Sequence, residues 1–354
     1  MQRSPDRLQV GLVTDEGRIN DGTFNQYAYE GLMRAAREHG LDPMIAETKT
    51  LDEVETNLRH VIDQGCNLVV TIGSRLGPRA ERMALRYPDV HFVLVDHEPL
   101  PDSKNVTGLL FAEDQAGFLA GALAGLVTES GTVAFVGGQD IAPVRKFHKG
   151  FENGLAHTNR RAQVLETYTE SFTDLAAGRE AGTELVMHGA DVVFAAAGSC
   201  GGAALQAAAK EGAWVIGVDQ DQWRTTFEAG RVPGSEKLLT SALKRVDQAV
   251  AVAVTQAVAK GLQSGVMRFD LSNDGVGLAP YHEADVAVPS EVRGKIQEVT
   301  DGLRSGRVRT YVGPTGEDLR RGLWTRLMTW NWQSALLPFL AIVTALIILS
   351  LIHI

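Results

Sequence analysis

The stretch VGLVTDEGRINDGTFNQYAYEGLM (residues 10–33) decides the fold expected of this chain. Its apolar start predicts a short buried β-strand, its middle a polar turn, and its end a helix. Ligands of open α/β sheets bind at the carboxyl ends of the strands. Near this strand end lie Asp15, Asn20, Asp21, Phe24 and Asn25. Acidic and amide groups beside an aromatic ring suit a ligand with hydroxyls and a flat ring, whereas phosphate favours glycines and cations.

The same alternation of apolar strands and helical segments continues along the chain. Strands are expected at 8–13, 67–72, 91–95, 106–111, 132–136, 163–168, 191–196 and 214–218. Helices are expected at 24–39, after the strand at 67–72 as far as residue 86, and at 115–127, 144–156, 175–188 and 201–211. Continuously apolar strands separated by helices indicate buried parallel sheets. Because the pattern restarts after the helix at 115–127, the sequence predicts two similar α/β lobes.

Composition narrows the class of protein. The chain has 354 residues, of which 44% are hydrophobic and 22% charged, enough for two domains with real cores. Its net charge of -9 argues against a nucleic-acid partner, which would require a basic face. Cys66 and Cys200 with nine scattered histidines form no zinc-binding spacing, so we expect two buried thiols, no metal site and no cofactor.

Several further motifs carry a family resemblance. They are FAEDQAGFLAG (111–121), VGG (136–138), Pro143-Val144 with 147–151, Asp174 with 176–180, GADVVF (189–194), AAG (196–198), GVDQDQ (217–222) and Ser241 with KRVD (244–247). Together with Asp15, Asn20-Asp21 and residues 23–25, they resemble, in order, the motifs of the basic membrane protein family. These are ABC-transporter substrate-binding proteins, and the best understood of them bind purine nucleosides. The resemblance covers roughly residues 8–315.

The resemblance implies an α/β, two-lobed type I periplasmic-binding-protein fold with parallel sheets. Three chain crossings, near 111–113, 240–244 and 271–277, would form the hinge. We therefore predict lobe 1 at residues 7–112 and 244–274, and lobe 2 at 113–243 and 275–316. Because candidate site residues lie in both halves of the chain, we predict that the two lobes close over the ligand.

Two of the predicted site segments lie at the start of the chain and at the first crossing. The resemblance implies polar ligand contacts from Asp15 and Asn25. Asn20 is a further candidate by its position, although it also suits a helix cap, and Phe24 as a site residue would stack on a base. From the residues alone, a capping role for Asp15 and a core role for Phe24 stay open. Of the two acidic residues at the first crossing, we expect Asp114 to reach the cleft and Glu113 to be solvated.

The remaining predicted site residues lie in the second half of the chain. Phe194 is either a core residue or the second face of an aromatic sandwich. Gly198 opens a glycine-rich loop that lacks the Lys-Ser/Thr ending of a phosphate loop, so close backbone approach to a base or ribose is favoured. Asp219 and Asp221 follow an apolar strand, and a carboxylate there suits a ribose diol, with helix capping as the alternative. The resemblance makes Lys244 a buried donor to the base or ribose, paired with an aspartate, rather than a solvated lysine.

The C-terminal segment differs in character from the rest. Residues 335–354 carry no formal charge, and twenty apolar residues at about 1.5 Å each span a hydrocarbon core of about 30 Å. We predict a transmembrane helix there, preceded by a linker and interfacial segment at 317–334 that contains Trp324, Trp330 and Trp332. The run 330–349 also resembles the start of a permease subunit, which predicts a binding-protein–permease fusion.

The side of the membrane on which the binding domain lies has two alternatives, cytoplasmic and extracytoplasmic. Residues 1–6 are too short and polar for a signal peptide. Arg320, Arg321 and Arg326 precede the predicted membrane helix and would place the domain in the cytoplasm by the positive-inside rule. The resemblance instead favours a cell-membrane protein with an extracytoplasmic binding domain whose export signal lies upstream.

Three function classes compete. The resemblance implies the solute-binding component of an ABC-type uptake system for purine nucleosides, with a permease and an ATPase as partners. A membrane-tethered nucleoside sensor is the alternative that shares the same pocket. A nucleoside hydrolase is disfavoured because the sequence shows no metal cluster, Gly-x-Ser-x-Gly elbow or base dyad, so we predict no enzyme activity.

Overall fold

The computed structural model describes residues 8–317 and residue 319. The chain divides into two compact units, Met1–Glu317 and Asp318–Ile354. The predicted transmembrane helix at 335–354 lies outside the described residues, as does nearly all of the interfacial segment predicted at 317–334. Among the described residues, the helices are all too short or too polar to cross a bilayer.

The first unit alternates strands and helices. In chain order they are β1 (Val10–Glu16), α1 (Phe24–His39), β2 (Met44–Thr48), α2 (Val54–Asp63), β3 (Leu68–Thr71), α3 (Gly77–Arg86), β4 (His91–Val95), β5 (Val106–Phe111), α4 (Glu113–Val127), β6 (Thr132–Gly137), α5 (Ala142–Thr158), β7 (Gln163–Tyr168), α6 (Leu175–Met187), β8 (Val192–Ala196), α7 (Gly198–Lys210), β9 (Trp214–Asp219), β10 (Leu238–Lys244), α8 (Val246–Lys260), β11 (Gly265–Phe269), β12 (Val276–Leu278) and α9 (Ser290–Arg304).

Two six-stranded sheets organise these elements. The first has the order β11-β5-β4-β3-β1-β2 and is parallel throughout. The second has the order β12-β10-β9-β8-β6-β7 and is parallel except for β12, which pairs antiparallel with β10 at the edge. The central strands are buried on both faces, as the fully buried neighbours Leu12 and Val13 of β1 and Val69 and Val70 of β3 show. The predicted α/β architecture of two mostly parallel sheets is confirmed.

The chain passes between the two sheets three times. It leaves the first sheet at the end of β5 and returns after β10, where α8 packs against α1. It then adds β11 to the first sheet and crosses again before β12. Since β11 and β12 belong to different sheets, each lobe is built from separate parts of the chain.

Close helix packing fixes the second lobe. Helices α4 and α5 approach so nearly that a Cβ built on Gly121 would lie 1.9 Å from the carbonyl oxygen of Phe151. A Cβ on Gly154 would lie 1.9 Å from the carbonyl oxygen of Phe118. Only glycine is compatible with this backbone contact. The contact holds the amino end of α5, and the loop before it, at the cleft between the lobes.

Candidate functional site

A pocket lies between the two lobes, where the carboxyl ends of strands from both sheets face each other. Its empty volume, which includes space open to solvent, is about 700 Å³. The lining residues are Asp15, Glu16, Asp21, Thr23, Phe24, Asn25, Gly73, Ser74 and Asp96 from the first lobe, Ile141, Pro143, Val144, Phe147, Phe172, Thr173, Ala196, Gly198, Ser199, Val218 and Asp219 from the second, and Lys244. The strand-end position matches the rule for ligand sites in open α/β sheets.

The turn after β1 is held by its own side chains. The Asp21 carboxylate accepts hydrogen bonds from the backbone N–H groups of Thr23 and Gln26, at 2.8 and 3.1 Å, which caps the start of α1. It also accepts a hydrogen bond from the Asn25 amide at 3.1 Å. The Asn25 carbonyl oxygen in turn accepts the backbone N–H of Asp15 at 3.2 Å. Asn25 therefore fixes the end of β1, and Phe24 beside it lines the pocket.

Asp15 is buried and is paired with Arg75, a residue that the sequence reasoning did not single out. Arg75 Nη2 lies 2.6 Å from Asp15 Oδ1, and its Nη1 lies 3.0 Å from Glu16 Oε2. Burial raises the pKa of Asp15, and the Arg75 guanidinium opposes that rise. Arg75 Nη1 also donates to Gln139 Oε1 of the second lobe at 2.8 Å. One arginine thus organises the acidic end of β1 and connects the two lobes.

Lys244 is a buried cation at the end of β10, as the resemblance implies, and only 2% of it is exposed. Its Nζ lies 2.6 Å from Asp96 Oδ2 and 2.9 Å from Glu113 Oε1. It also lies 5.0 Å from the ring centres of Phe24 and Phe111. Burial by itself would lower the pKa of Lys244, but the Asp96 and Glu113 carboxylates raise it, so the amine stays charged. The charge is balanced inside the protein, as a buried cation requires.

Asp219 and Asp96 end their strands in the same unusual backbone conformation. Their φ angles are +64° and +65°, in the left-handed region that non-glycine residues rarely adopt. Such conformations concentrate at binding sites and switch regions. Burial raises the pKa of Asp219 to about 7 and that of Asp96 to about 6. Within residues 8–317, Asp96 pairs with Lys244, whereas the Asp219 carboxylate has no hydrogen-bond partner, so its oxygens are available to a ligand.

Besides Phe24 of the first lobe, two aromatic rings line the pocket from the second lobe, namely Phe147 on α5 and Phe172. Phe172 lies in the loop after β7. Glycine makes room for it, because a Cβ at Gly138 would lie 2.4 Å from the Phe172 ring. Gly198 has a φ of +59° and would place a Cβ 2.8 Å from the Phe172 carbonyl oxygen. The sequence reasoning missed Phe172; the available signal was a lone aromatic residue in a polar loop just before the Asp174 helix cap.

The structure brings six of the ten predicted site residues to this pocket: Asp15, Phe24, Asn25, Gly198, Asp219 and Lys244. The other four lie elsewhere. Asn20 is in the turn after β1 and does not line the pocket. Phe194 is fully buried in the core, with its ring centre 5.5 Å from that of Phe135. Asp221 is paired with His282 at 2.8 Å, outside the pocket.

Asp114, the fourth of these residues, faces a different cavity. Its carboxylate accepts a hydrogen bond from the Thr310 hydroxyl. Glu113, which we expected to be solvated, is instead 1% exposed and bonded to both Lys244 and Lys146. The expectation was therefore wrong for both residues: Asp114 does not line the solute pocket, and Glu113 is not solvated. Both line the same neighbouring cavity, where packing of α4 against the hinge places them.

The charge of the lining limits the kind of ligand. Five carboxylates and one amine line the pocket, the amine being already paired with two carboxylates. Apolar groups, including Phe24, Phe172 and Val218, form much of the remaining wall. A phosphate would meet unpaired negative charge here, whereas a neutral molecule with hydroxyl donors and a flat ring would find matching groups.

Two α/β lobes that enclose such a pocket define a solute-binding protein of the two-lobed periplasmic class. The chain belongs to the family described as ABC transporter substrate-binding protein, PnrA-like, whose profile matches residues 8–301. The resemblance to the basic membrane protein family is thereby confirmed. Members of this family are the binding components of ABC transporters, so the activity of this chain is ligand binding and not catalysis.

Curated relatives match along most of their length. The chain is 29% identical over 315 residues to the ABC transporter nucleoside-binding protein BmpA of Lactococcus lactis, covering 85% of this chain and 88% of that protein. It is 30% identical over 330 residues to a CD4+ T-cell-stimulating antigen of Listeria monocytogenes, covering 88% and 90%. An uncharacterized lipoprotein of Pyrococcus furiosus is 30% identical over 288 residues, covering 78% and 71%.

Solved structures share the fold. An ABC transporter solute-binding protein from Aeropyrum pernix superposes with a TM-score of 0.76 at 23% identity, over 86% of this chain and 93% of that one. A second, from Conexibacter woesei, gives a TM-score of 0.68 at 27% identity, over 88% and 100%. The two-lobed periplasmic-binding-protein fold is therefore established for the described part of the chain. As the binding component of an ABC transporter, the protein works with a permease and an ATPase.

Proposed function

We propose that this chain binds nucleosides, with purine nucleosides preferred, for uptake through an ABC permease. The observation that carries the proposal is the Asp219 carboxylate, which has no hydrogen-bond partner among residues 8–317 and lies in a pocket that is also lined by three phenylalanine rings. A ribose diol has two hydroxyl donors, and a carboxylate has two oxygens to accept them. The similarity to a protein named nucleoside-binding supports the same ligand class.

The rings provide apolar surfaces on which a base can stack. Phe24 lines the pocket from the first lobe, and Phe147 and Phe172 line it from the second. We propose that the base lies between the lobes in contact with rings of both. Stacking of aromatic rings contributes about 0.5–1.5 kcal/mol beyond the area they bury. A purine offers more stacking area than a pyrimidine, which is the reason for the proposed preference.

The lobes are joined by contacts that can break and re-form on hinge motion. Arg75 donates to Gln139 across the cleft, as described above. Gln220 of the second lobe donates to the carbonyl oxygens of Gly22 and Thr23 in the first lobe, at 2.6 and 3.2 Å. We propose that these contacts hold the closed form, in which the ligand is shielded from water, and that the permease recognises this form.

We further propose that the binding domain lies on the outer side of the cell membrane, because uptake systems capture solute there. The similarity to a protein described as a lipoprotein supports attachment at a membrane. Fusion to a permease, and the alternative of a tethered sensor, both concern segments outside the described residues.

Calorimetric titration of the full chain tests the proposed ligand class. We expect binding of adenosine, guanosine and inosine, much weaker binding of free ribose, and no binding of AMP, whose phosphate would face the acidic lining. Cytidine should bind more weakly than the purine nucleosides because it stacks less. Binding of ribose or another free sugar in preference to every nucleoside would refute the proposal.

A further inference from the structure

A cluster of potential metal ligands lies in the second lobe. His148 and Glu152 are one helical turn apart on α5, and Glu166 lies on the neighbouring edge strand β7. His148 Nε2 is 2.9 Å from Glu166 Oε2 and 3.5 Å from Glu152 Oε1. The three ligand atoms all lie within 4.8 Å of one another. None of these residues lines the solute pocket.

His148 is held rigidly with its Nε2 atom directed at the two carboxylates. The residue is 2% exposed, and its ring stacks on that of Phe135 with a centre separation of 4.3 Å and an interplanar angle of 5°. Its Nδ1 lies 3.0 Å from the Tyr168 hydroxyl. A histidine that ligates a metal usually has its other ring nitrogen fixed by such a hydrogen bond.

The Nε2 atom itself has no hydrogen-bond partner within the described chain, although it is buried. Glu166 Oε2 is close enough but lies off the direction in which an N–H at Nε2 would point. A neutral imidazole with its proton on Nδ1 would donate to Tyr168 and turn its Nε2 lone pair toward the carboxylates. Three electron-rich atoms then face one another, and a cation between them would remove the repulsion.

We propose that His148, Glu152 and Glu166 form a binding site for a divalent transition-metal ion of the zinc type. Bonds of about 2.0–2.2 Å to nitrogen and oxygen, at tetrahedral to octahedral angles, separate adjacent ligand atoms by about 3.0–3.5 Å. The observed separations of 2.9 and 3.5 Å from Nε2 fit that geometry. Three protein ligands leave further positions for water, and the Glu152 and Glu166 side chains are 33% and 55% exposed toward solvent.

The donor set selects the ion. An imidazole nitrogen with two carboxylates suits Zn²⁺ and its transition-metal neighbours, whereas Ca²⁺ and Mg²⁺ favour all-oxygen sites. Two carboxylates balance the charge of the ion. Glu152 Oε2 is engaged by Lys149 Nζ at 2.8 Å, which leaves Oε1 for the metal. The bound ion would join α5 to the edge strand β7 and so stabilise the second lobe, whatever solute the pocket takes.

Titration of the metal-stripped full chain with ZnCl₂ tests the site. We expect one Zn²⁺ per chain and a rise in melting temperature on binding, with no comparable effect of CaCl₂. The double variant E152Q/E166Q changes only solvent-accessible carboxylates and is expected to fold. It should lose at least about tenfold in zinc affinity per ligand removed. The matched control E291Q/E298Q alters two exposed glutamates on α9 and should bind zinc as the wild type does.

Cobalt substitution gives a second readout that is independent of stability. Co²⁺ in the site should show visible absorption bands that disappear in E152Q/E166Q and in His148→Gln. Equal zinc affinity and stoichiometry in the wild type and E152Q/E166Q would overturn the proposal. So would the absence of any zinc binding by the wild-type chain. Because these measurements use no solute, their failure is separate from a failure of the proposed nucleoside function.

Discussion

The carboxyl group of Asp219 provides a quantitative test of the binding site. Burial raises its pKa to about 7, so near neutral pH about half of the molecules carry a proton there. A ribose diol donates hydrogen bonds to the ionised carboxylate, so binding below the pKa must release that proton. Affinity should therefore increase as the pH rises and level off above the pKa.

The size of the effect follows from the ionised fraction of Asp219. With a pKa of about 7, the apparent Kd should be about 30-fold weaker at pH 5.5 than at pH 8.5. Asp219→Asn removes this titration. It also removes hydrogen bonds to a charged group, which contribute about 1.5–3 kcal/mol. At pH 8.5 the variant should bind adenosine about ten- to 150-fold more weakly than the wild type.

Calorimetry with adenosine and 2′-deoxyadenosine at pH 5.5, 7 and 8.5 measures both effects. The wild type should prefer adenosine by at least about tenfold, since a loss of about 1.4 kcal/mol is one decade. Asp219→Asn should show a smaller preference and a flatter pH profile. Asp221→Asn is the control, because Asp221 pairs with His282 outside the pocket and should leave affinity unchanged. If Asp219→Asn keeps both the ribose preference and the pH dependence, the role assigned to Asp219 is wrong.

Three other predictions concern stacking, closure and packing. Phe24→Ala should weaken the binding of purine nucleosides by about 0.5–1.5 kcal/mol or more, beyond the effect of the lost buried area, and should affect ribose binding little. A lower melting temperature with unchanged affinity for purine nucleosides in calorimetry would contradict this. Arg75→Met removes the contact with Gln139 across the cleft. Small-angle scattering of the unliganded variant should therefore show a larger radius of gyration than that of the wild type. An unchanged scattering profile would exclude Arg75 as a link between the lobes. Gly121→Ala places a Cβ 1.9 Å from a backbone oxygen, so it should lower the free energy of unfolding in denaturant melts by more than about 1–3 kcal/mol. Gly294→Ala on α9 is the control: a Cβ there meets nothing within 4 Å, so the free energy of unfolding should rise by about 0.5–1 kcal/mol. Equal effects of the two substitutions would contradict the packing argument.

Local patterns in the sequence were enough for the class of fold and for part of the site. Eight apolar runs predicted strands of both sheets, most of them central, because strands buried on both faces require continuous apolar sequence. The edge strands β2, β11 and β12 and the strand β10 were not predicted as strands, since they are short, partly polar or near a crossing. Asp15 was found because it lies at the end of β1, and Phe24 because it opens the helix that follows. The ligand site of an open sheet lies at such strand ends.

The remaining parts of the site depend on contacts between distant segments. Phe194 was ambiguous because a strand buried on both faces gives no alternation to show which side chains meet the cleft. The positions of Glu113 and Asp114, neither of which lines the solute pocket, depend on how α4 packs against the hinge.

The sequence by itself determined two parallel α/β lobes and several of the strand-end side chains that line their pocket, because hydrophobic periodicity and strand ends are local properties. The tertiary structure alone decided that Arg75 would bind Asp15 across 60 residues, that Phe172 would face the pocket, and that Glu166 would meet His148. These side chains are brought together by sheet order and lobe packing, which no local spacing in the chain records.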